Sequence, residues 1–534
     1  MEDKNRFIRA TVMLAAANVI AKILGAVFKI PLTYILKEEG MAIFNTASCI
    51  YSMFLTLVIS GVPLAASRLI SQDMAMKKYP EVKRTVKASE FLLMILGALS
   101  SVILFLAAEP LAYSMKDPAA VWAIRVISPS VFFVAWGCAF KSYFQGTQQL
   151  LPTAASQVGE AAIRLLAGYF LALMFARSAP GITAAAATFG VTLGEIAATA
   201  FLGASCFALR IKTKEKCKTS YKEIYSQIAA VAVPLSVCAV TMSLLSMVDV
   251  ATVRNSLLRV NFTKESAEYF LLQYSSYTDL FDGLLDELKF SEQGARWLWG
   301  AYSGYALTVF HLPIGMIATL CVSILPVIAG NLAKKNMAAV RKCSLYAADA
   351  TLFAAVPAAV LFFVSSGDIL KLLFNNSASE KMLALVSPCL IFICMSQLFS
   401  AIFNAAGKVY EPFFIQLIGM AIKLLGNIVL VKNPYLNISG AIISSCLAYG
   451  FICFAQGVFL RKTFDIRFTK KRILTPFVSA VPMYFVLELT YQPMCCIFSN
   501  DIVSFGASAF AAGVAYLLTY SLFSESGFLT FLKK

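Results

Sequence analysis

The sequence predicts an all-α polytopic membrane protein, and three observations predict it. Of the 534 residues, 59% are hydrophobic and 14% are charged, against about 45–50% and about 25% in soluble domains. The mean hydropathy is +0.75. Apolar stretches of about 20 residues recur from end to end, and each is long enough to span a bilayer as a helix. This composition excludes a soluble multidomain enzyme.

Charged residues, Pro and Gly separate fourteen candidate spans, an even number that places both termini on one side of the membrane. The predicted spans are 11–36, 44–70, 88–108, 120–145, 152–176, 182–209, 227–252, 297–328, 344–364, 383–405, 412–432, 437–460, 474–491 and 501–524.

The formal net charge of +16 is distributed unevenly among the predicted loops. The termini and the alternate loops on their side hold 27 Lys and Arg residues, whereas the opposite loops hold 11. By the positive-inside rule, both termini are expected in the cytoplasm of a multi-pass plasma-membrane protein. The charge is therefore a topology signal, and no nucleic-acid partner is predicted. The long polar loop 253–296 is expected outside, with a short amphipathic helix around FDGLLDELKF.

The two halves of the chain contain similar motifs in the same order. SPSVFF at residues 128–133 corresponds to SPCLIF at 387–392, and Pro152 and Gly159 correspond to Pro412 and Gly419. The repeat unit is six helices, although small-residue helices can also resemble one another by chance. We therefore predict an N-lobe at 1–226, a C-lobe at 227–460 and two further helices at 461–534. Parallel repeats imply a pseudo-two-fold axis along the membrane normal, with a substrate path between the halves.

Lys432, the last residue of its span, is counted with the loop that follows. Seven other cations fall inside predicted spans, and each costs roughly 2.5–3.5 kcal/mol at a helix centre. Lys22 and Lys29 are seven residues apart, nearly two helical turns, and share one face with Asn18 and Gly25. This stripe should face water or a partner; the alternative is neutralisation by acids on neighbouring helices. The other cations are Arg68, Arg125, Lys141, Arg164 and Lys423, of which Arg68 and Lys141 lie near cytoplasmic ends and are interpreted as snorkelling.

The fifth predicted helix has a second polar face, formed by Gln157, Glu160, Arg164 and Gly168. Glu160 and Arg164 are spaced to pair along the helix, so a structural ion pair and a functional role are both open. The remaining embedded acids are Glu195 and Asp249, with Asp349 flanking a span in the second half.

Cations outnumber acids inside the first half, so a cavity there would attract anions. Phosphate is the bulky anion that this pattern favours. The second half has fewer internal charges and would offer an apolar groove suited to a lipid tail.

No catalytic constellation is present in the sequence, so the protein is not predicted to be an enzyme. It has no GxxxxGK[ST] motif, and its single histidine, His311, excludes a histidine-based zinc site. The thirteen cysteines are scattered as packing residues, apart from adjacent Cys495 and Cys496, which are candidates for oxidation near an outer loop. With no cofactor expected, transport would run on a Na⁺ or H⁺ gradient, the membrane potential or the gradient of the substrate.

Four stretches resemble a known family across essentially the whole chain. They are residues 21–71, SLLSMVDVATV around Asp249, LPIGMIATLCVSILPVIAG at 312–330 and FNAAGKVYEPFFIQLIGMAIKLLGNIVLV at 403–431. The chain resembles the stage V sporulation protein B-like polysaccharide exporters. These belong to the multidrug/oligosaccharidyl-lipid/polysaccharide (MOP) flippase superfamily, which includes the MurJ-type lipid II flippases.

The resemblance implies two six-helix lobes, two extra helices and alternating access that flips an undecaprenyl-pyrophosphate-linked saccharide outwards. By motif position, Lys22, Lys29 and Arg68 match cavity arginines that hold the pyrophosphate in the lipid II flippases, with Arg125, Arg164 and Asn18 as further candidates. Membrane lipids and cell-wall synthesis enzymes are the expected partners, and a monomer is favoured. The alternative functions are a gradient-driven exporter of organic cations, using Glu160, Glu195 and Asp249, and a non-transporting scaffold for envelope assembly.

Overall fold

The computed structural model describes residues 2–209, 220–274, 281, 284–315, 317, 328, 331–332, 335–408, 410–497 and 501–523. Every regular element within those ranges is a helix. Packing divides the chain into two compact units, Met1–Asn255 and Ser256–Lys534.

Eight helices begin in the first unit. They are α1 (Glu2–Ile59), α2 (Val62–Ala75), α3 (Tyr79–Leu106), α4 (Ala108–Ser114), α5 (Val121–Gly146), α6 (Leu151–Met174), α7 (Pro180–Leu209) and α8 (Tyr221–Leu257).

The second unit begins with short helices and continues with long ones. They are α9 (Lys264–Gln273), α10 (Leu284–Glu287), α11 (Glu292–Gly300), α12 (Met337–Val364), α13 (Ser366–Phe374), α14 (Glu380–Val386), α15 (Cys389–Ala405), α16 (Tyr410–Leu430), α17 (Ile438–Phe464), α18 (Lys470–Ile497) and α19 (Asp501–Phe523). A π-helical turn, Ala301–Ala306, follows α11 and leads into helical residues 307–315.

The predicted all-α membrane fold is confirmed. Within the described ranges, ten helices are long and apolar enough to cross a membrane, or eleven if the bent pair α14 and α15 is one span. Each of the fourteen predicted segments overlaps helical residues, but the count of fourteen crossings stays a prediction.

The first two predicted spans differ from the structure at their ends. They run together as α1, which is interrupted only at Lys37, where φ is +53°. The second span is then broken at Ser60 and Gly61, and α2 restarts with Pro63 in its first turn. Proline cannot donate a hydrogen bond to the preceding turn, so it is tolerated at a helix start.

Hydroxyl groups replace the backbone hydrogen bonds that are lost at a proline inside α5. Pro129 removes one backbone donor, which leaves carbonyl groups of the preceding turn without their helical partner. Ser128 Oγ donates to the Arg125 carbonyl at 2.8 Å, and Thr192 Oγ1 of α7 donates to the Val126 carbonyl at 3.0 Å. These bonds join α5 to α7 at the proline.

The internal repeat has a structural counterpart in each unit. In the first unit, α5 packs against α3 and α7, and α6 packs against α7. In the second unit, α15 packs against α12 and α17, and α16 packs against α17 in the same order. Ser387 Oγ donates to the Ala384 carbonyl at 2.8 Å, repeating the Ser128 contact at an offset of 259 residues. The helix at Pro388 is bent by 43°, whereas α5 continues through Pro129.

The predicted outer loop is folded rather than open. The predicted short helix around FDGLLDELKF is present as α10, and α9 was not predicted. A capping box formed by Thr263 and Ser266 starts α9. Aromatic side chains pack together between the two, with the Phe270 ring centroid 4.9 Å from Phe281 and 5.1 Å from Phe290. This aromatic core allows a polar segment to fold.

Two glycines of α7, Gly190 and Gly194, allow α6 and α7 to pack closely. A Cβ atom on Gly190 would lie 2.2 Å from the Gly168 Cα of α6. A Cβ atom on Gly194 would lie 2.9 Å from the Glu160 carbonyl oxygen. Small residues four apart are a common means of close helix approach in membranes.

We expect Gly190→Ala to separate α6 from α7 and to lower stability by about 1–3 kcal/mol, because the added methyl group meets backbone. Gly159→Ala is the matched control on α6, since a Cβ atom there meets nothing within 4 Å and alanine is the better helix former. Melting temperatures of the purified proteins measure the difference. Equal melting temperatures for the two variants would show that this close approach is dispensable.

Candidate functional site

A buried cluster of charges occupies the first unit between α6 and α7. Arg164 Nη2 of α6 donates hydrogen bonds to Glu160 Oε1 one turn earlier and to Glu195 Oε1 of α7, the latter at 3.1 Å. The side chains of Arg164, Glu160 and Glu195 are 27%, 16% and 7% exposed. The sequence predicted the pairing along α6, but the second carboxylate comes from another helix.

Two further polar side chains belong to this cluster. Lys141, half-buried on α5, interacts electrostatically with Glu160 and Glu195 rather than only with water. Tyr51 is buried on α1 beside the same groups. Two cations therefore face two carboxylates, and the cluster is electrically balanced when all four are ionised. Such balance is what a low-dielectric interior requires.

Lys29 has a different environment on α1. Its neighbour Phe28 is buried against Phe44, with ring centroids 6.3 Å apart, so Lys29 lies on another side of the helix and is half-buried. Within the described residues, no carboxylate lies within 4.0 Å of the Lys29 amine. One turn earlier, a Cβ atom on Gly25 would meet nothing within 4 Å. This face of α1 therefore borders open space.

The other predicted cations do not join Lys29 in one described group. Arg68 is exposed on α2. Arg125 pairs with Glu109 of α4 at 2.7 Å and lies 5.5 Å from the Trp122 ring. The side chains of Asn18 and Lys22 lie outside the described residues.

Asp249 is buried on α8. Near it in sequence, Arg254 forms a buried ion pair with Asp117 at 3.4 Å, which the sequence analysis missed. Asp117 lies in a loop just before α5, so no helical spacing could have indicated the pair.

The two embedded charged residues predicted in the second unit, Lys423 and Asp349, are also covered or paired. Lys423 is buried on α16, with its amine 5.4 Å from the Tyr449 ring centroid. Asp349 on α12 pairs with Arg472 of α18 at 3.4 Å. Hydrogen bonds from Gln416 and Gln456 converge on the Ser400 hydroxyl at 3.2 and 3.0 Å. The interior of this unit is therefore polar in places, although it has fewer charges than the first.

The long apolar helices and the buried, balanced charges define a multi-span helical membrane protein. The profile of the family described as "Polysaccharide biosynthesis protein" matches residues 7–258, and that of "Lipid II flippase MurJ" matches residues 300–505.

The chain is 22% identical over 514 residues to "Stage V sporulation protein B" of Bacillus subtilis (strain 168), covering 95% of this chain and 91% of the relative. It is 22% identical to "Lipid II flippase MurJ" of the same organism over 469 residues, covering 83% and 80%. The fold matches an inward-facing multidrug resistance MATE family transporter of the MOP superfamily. That match has a TM-score of 0.61, 12% identity, and coverage of 85% of this chain and 99% of the other. The resemblance found in the sequence is confirmed.

Replacing Arg164 tests whether the cluster depends on its charge balance. Arg164→Gln leaves Glu160 and Glu195 without their shared donor, and removal of one partner from a buried ion pair costs about 3–5 kcal/mol. We expect a large fall in the melting temperature. An additional Glu160→Gln change should restore most of it, because Lys141 and Glu195 then remain as a balanced pair.

Arg125→Gln is the matched control, because its partner Glu109 is 57% exposed and pairs near a surface contribute about 0–1 kcal/mol. If Arg164→Gln melted at the same temperature as Arg125→Gln, the cluster would not stabilise the first unit.

Proposed function

We propose that this protein is a flippase that moves an undecaprenyl-pyrophosphate-linked saccharide from the cytoplasmic to the outer leaflet by alternating access. Two family profiles that together span most of the chain, and relatives with flippase and sporulation names, support this function. The MATE-like fold supports a transporter.

The different environments of the cations in the first unit carry the proposal. Arg164 and Arg125 are engaged by carboxylates. Lys29 is half-buried, borders open space and has no carboxylate within ion-pair distance in the described part of the chain. The positive charge of an amine in that position is stabilised when an anion enters with the substrate. Ammonium groups bind phosphate as compact point charges.

In this proposal, Lys22, Lys29 and Arg68 bind the pyrophosphate, and Asn18 contributes a hydrogen bond from the same face of α1. Arg164 and Arg125 act indirectly, by fixing the helices that surround the substrate. The two units then move to expose the headgroup outside, while the polyprenyl tail stays in lipid beside the second unit.

The alternative function is export of organic cations, and one observation favours it: Glu160, Glu195 and Asp249 are acids embedded in the first unit. However, Arg164 already binds two of them. Thermal shifts of the purified protein with undecaprenyl pyrophosphate or with an organic cation separate the functions. Stabilisation by the cation alone would favour the exporter.

The proposed orientation places both termini in the cytoplasm. Contacts between loops support the alternation of sides that this orientation requires. Tyr269 contacts Tyr435, with ring centroids 6.2 Å apart, and both lie in loops predicted outside. Arg84 lies 4.3 Å from the Tyr221 ring centroid, and both lie in loops predicted inside.

Reporter fusions test this orientation. Because green fluorescent protein folds in the cytoplasm and alkaline phosphatase is active only outside, we expect a fluorescent C-terminal fusion and an active phosphatase fusion in loop 256–263. The reverse pattern would place both termini outside the cytoplasm, and this would contradict entry of the substrate from the cytoplasmic side.

Loss of charge on α1 tests the proposed site. A charge-assisted hydrogen bond contributes about 1.5–3 kcal/mol, so Lys29→Gln combined with Lys22→Gln should reduce flipping by at least roughly tenfold. Lys29→Arg should retain activity, because the positive charge is kept. Rescue of a flippase-depleted strain and accumulation of lipid-linked precursor measure the effect.

Lys87→Gln is the control, since this lysine is exposed on α3. Full rescue by the Lys22 and Lys29 double variant would contradict the proposed role of these amines.

A further inference from the structure

The segment that joins α17 to α18 concentrates positive charge at the end of the second unit. Residues 461–472, RKTFDIRFTKKR, contain six cations and one carboxylate. Five of the cations are exposed, and together they are called the basic platform below: Arg461, Lys462, Arg467, Lys470 and Lys471. The sixth, Arg472, pairs with Asp349.

Apolar side chains hold this segment in place. Phe464 and Ile466 are buried in the core of the second unit, and the Phe468 ring lies 5.7 Å from that of Phe399 on α15. Because alternate residues point inward, Arg467 between them points outward, with its side chain 70% exposed. The platform is therefore a fixed surface, whose cations are presented by a packed backbone.

The single carboxylate of this segment, Asp465, already pairs with two arginines. Asp465 accepts a hydrogen bond from Arg467 Nε at 2.8 Å and lies 3.2 Å from Arg341 Nη2. The hydrogen bond from Arg467, together with the nearby charges of Arg341 and Arg461, holds the pKa of Asp465 below its ordinary value. Asp465 thus stays ionised and orients two arginines, but it offsets only one of the positive charges.

The exposed apolar residues on either side place the platform at the membrane surface. Phe459, two residues before Arg461, is 42% exposed, and Leu474, three residues after Lys471, is 55% exposed. Such side chains face acyl chains in a spanning helix. The cations between them are therefore at the depth of the lipid headgroups.

We propose that the basic platform binds the headgroup of an anionic phospholipid, which bridges the ends of α17 and α18. Clusters of Lys and Arg next to spanning helices bind anionic lipid surfaces through their summed charge. This site is separate from the proposed substrate cations on α1, and it does not depend on the proposed function.

Binding of defined lipids to the purified full chain tests this proposal. Native mass spectrometry in neutral detergent, with dioleoyl phosphatidylglycerol or dioleoyl phosphatidylcholine as the probe, gives the apparent affinity for each lipid. The test variant combines Lys462→Gln, Lys470→Gln and Lys471→Gln. Since each cation at a membrane surface contributes about fivefold in affinity, we expect its affinity for phosphatidylglycerol to fall by at least roughly tenfold.

Two matched variants control for total charge and for folding. Arg259→Gln, Lys264→Gln and Lys289→Gln remove three exposed cations that are scattered along the segment between α8 and α11. Because they do not form a cluster between two spanning helices, this loop variant should change the affinity by less than about twofold. Arginine at positions 462, 470 and 471 should preserve binding.

Three results would overturn the proposal. The first is unchanged phosphatidylglycerol affinity in the test variant, and the second is an equal loss in the loop variant. The third is stronger competition by inorganic phosphate or polyglutamate than by phosphatidylglycerol, because the ligand would then be a soluble anion or an acidic protein.

Discussion

The cost of placing charge inside a bilayer governs the arrangement of the first unit. Arg164 is retained between α6 and α7 because Glu160 and Glu195 both accept its hydrogen bonds, while Lys141 balances the second carboxylate. This arrangement requires the two helices to approach closely, which the α7 glycines permit. Charge compensation and small-residue packing thus depend on each other, and α1 packs against both helices.

The cations of the first unit are of two kinds. Arg164 and Arg125 form ion pairs with carboxylates of the protein itself, and these pairs connect neighbouring helices. Lys29 lies one turn after Gly25, where a Cβ atom would meet nothing within 4 Å, and we propose that its charge is available to a ligand. This division explains how one unit can hold many buried cations and still present a site for an anion. It also separates the residues proposed to bind substrate from residues that position helices.

Apolar runs predicted the helices, matching motifs at a nearly constant offset predicted the repeat, and helical spacing predicted the polar face of α6. It did not predict that Glu195 completes the cluster or that Asp117 pairs with Arg254, since both contacts join segments distant in sequence. Lys141 was interpreted as snorkelling because it lies near the end of its predicted span, whereas the carboxylates that face it come from α6 and α7. The glycines at 190 and 194 were a readable signal of close helix approach, and they pointed to the neighbourhood of Glu195.

Photo-crosslinking tests the central proposal, that the amines of Lys22 and Lys29 on α1 receive the pyrophosphate. The probe is an undecaprenyl-pyrophosphate analogue with a photoreactive group beside the second phosphate, applied to the purified full chain. The account predicts that labelled peptides come from residues 17–36 and that unlabelled undecaprenyl pyrophosphate competes. Labels confined to the second unit, or labels that resist competition, would contradict it.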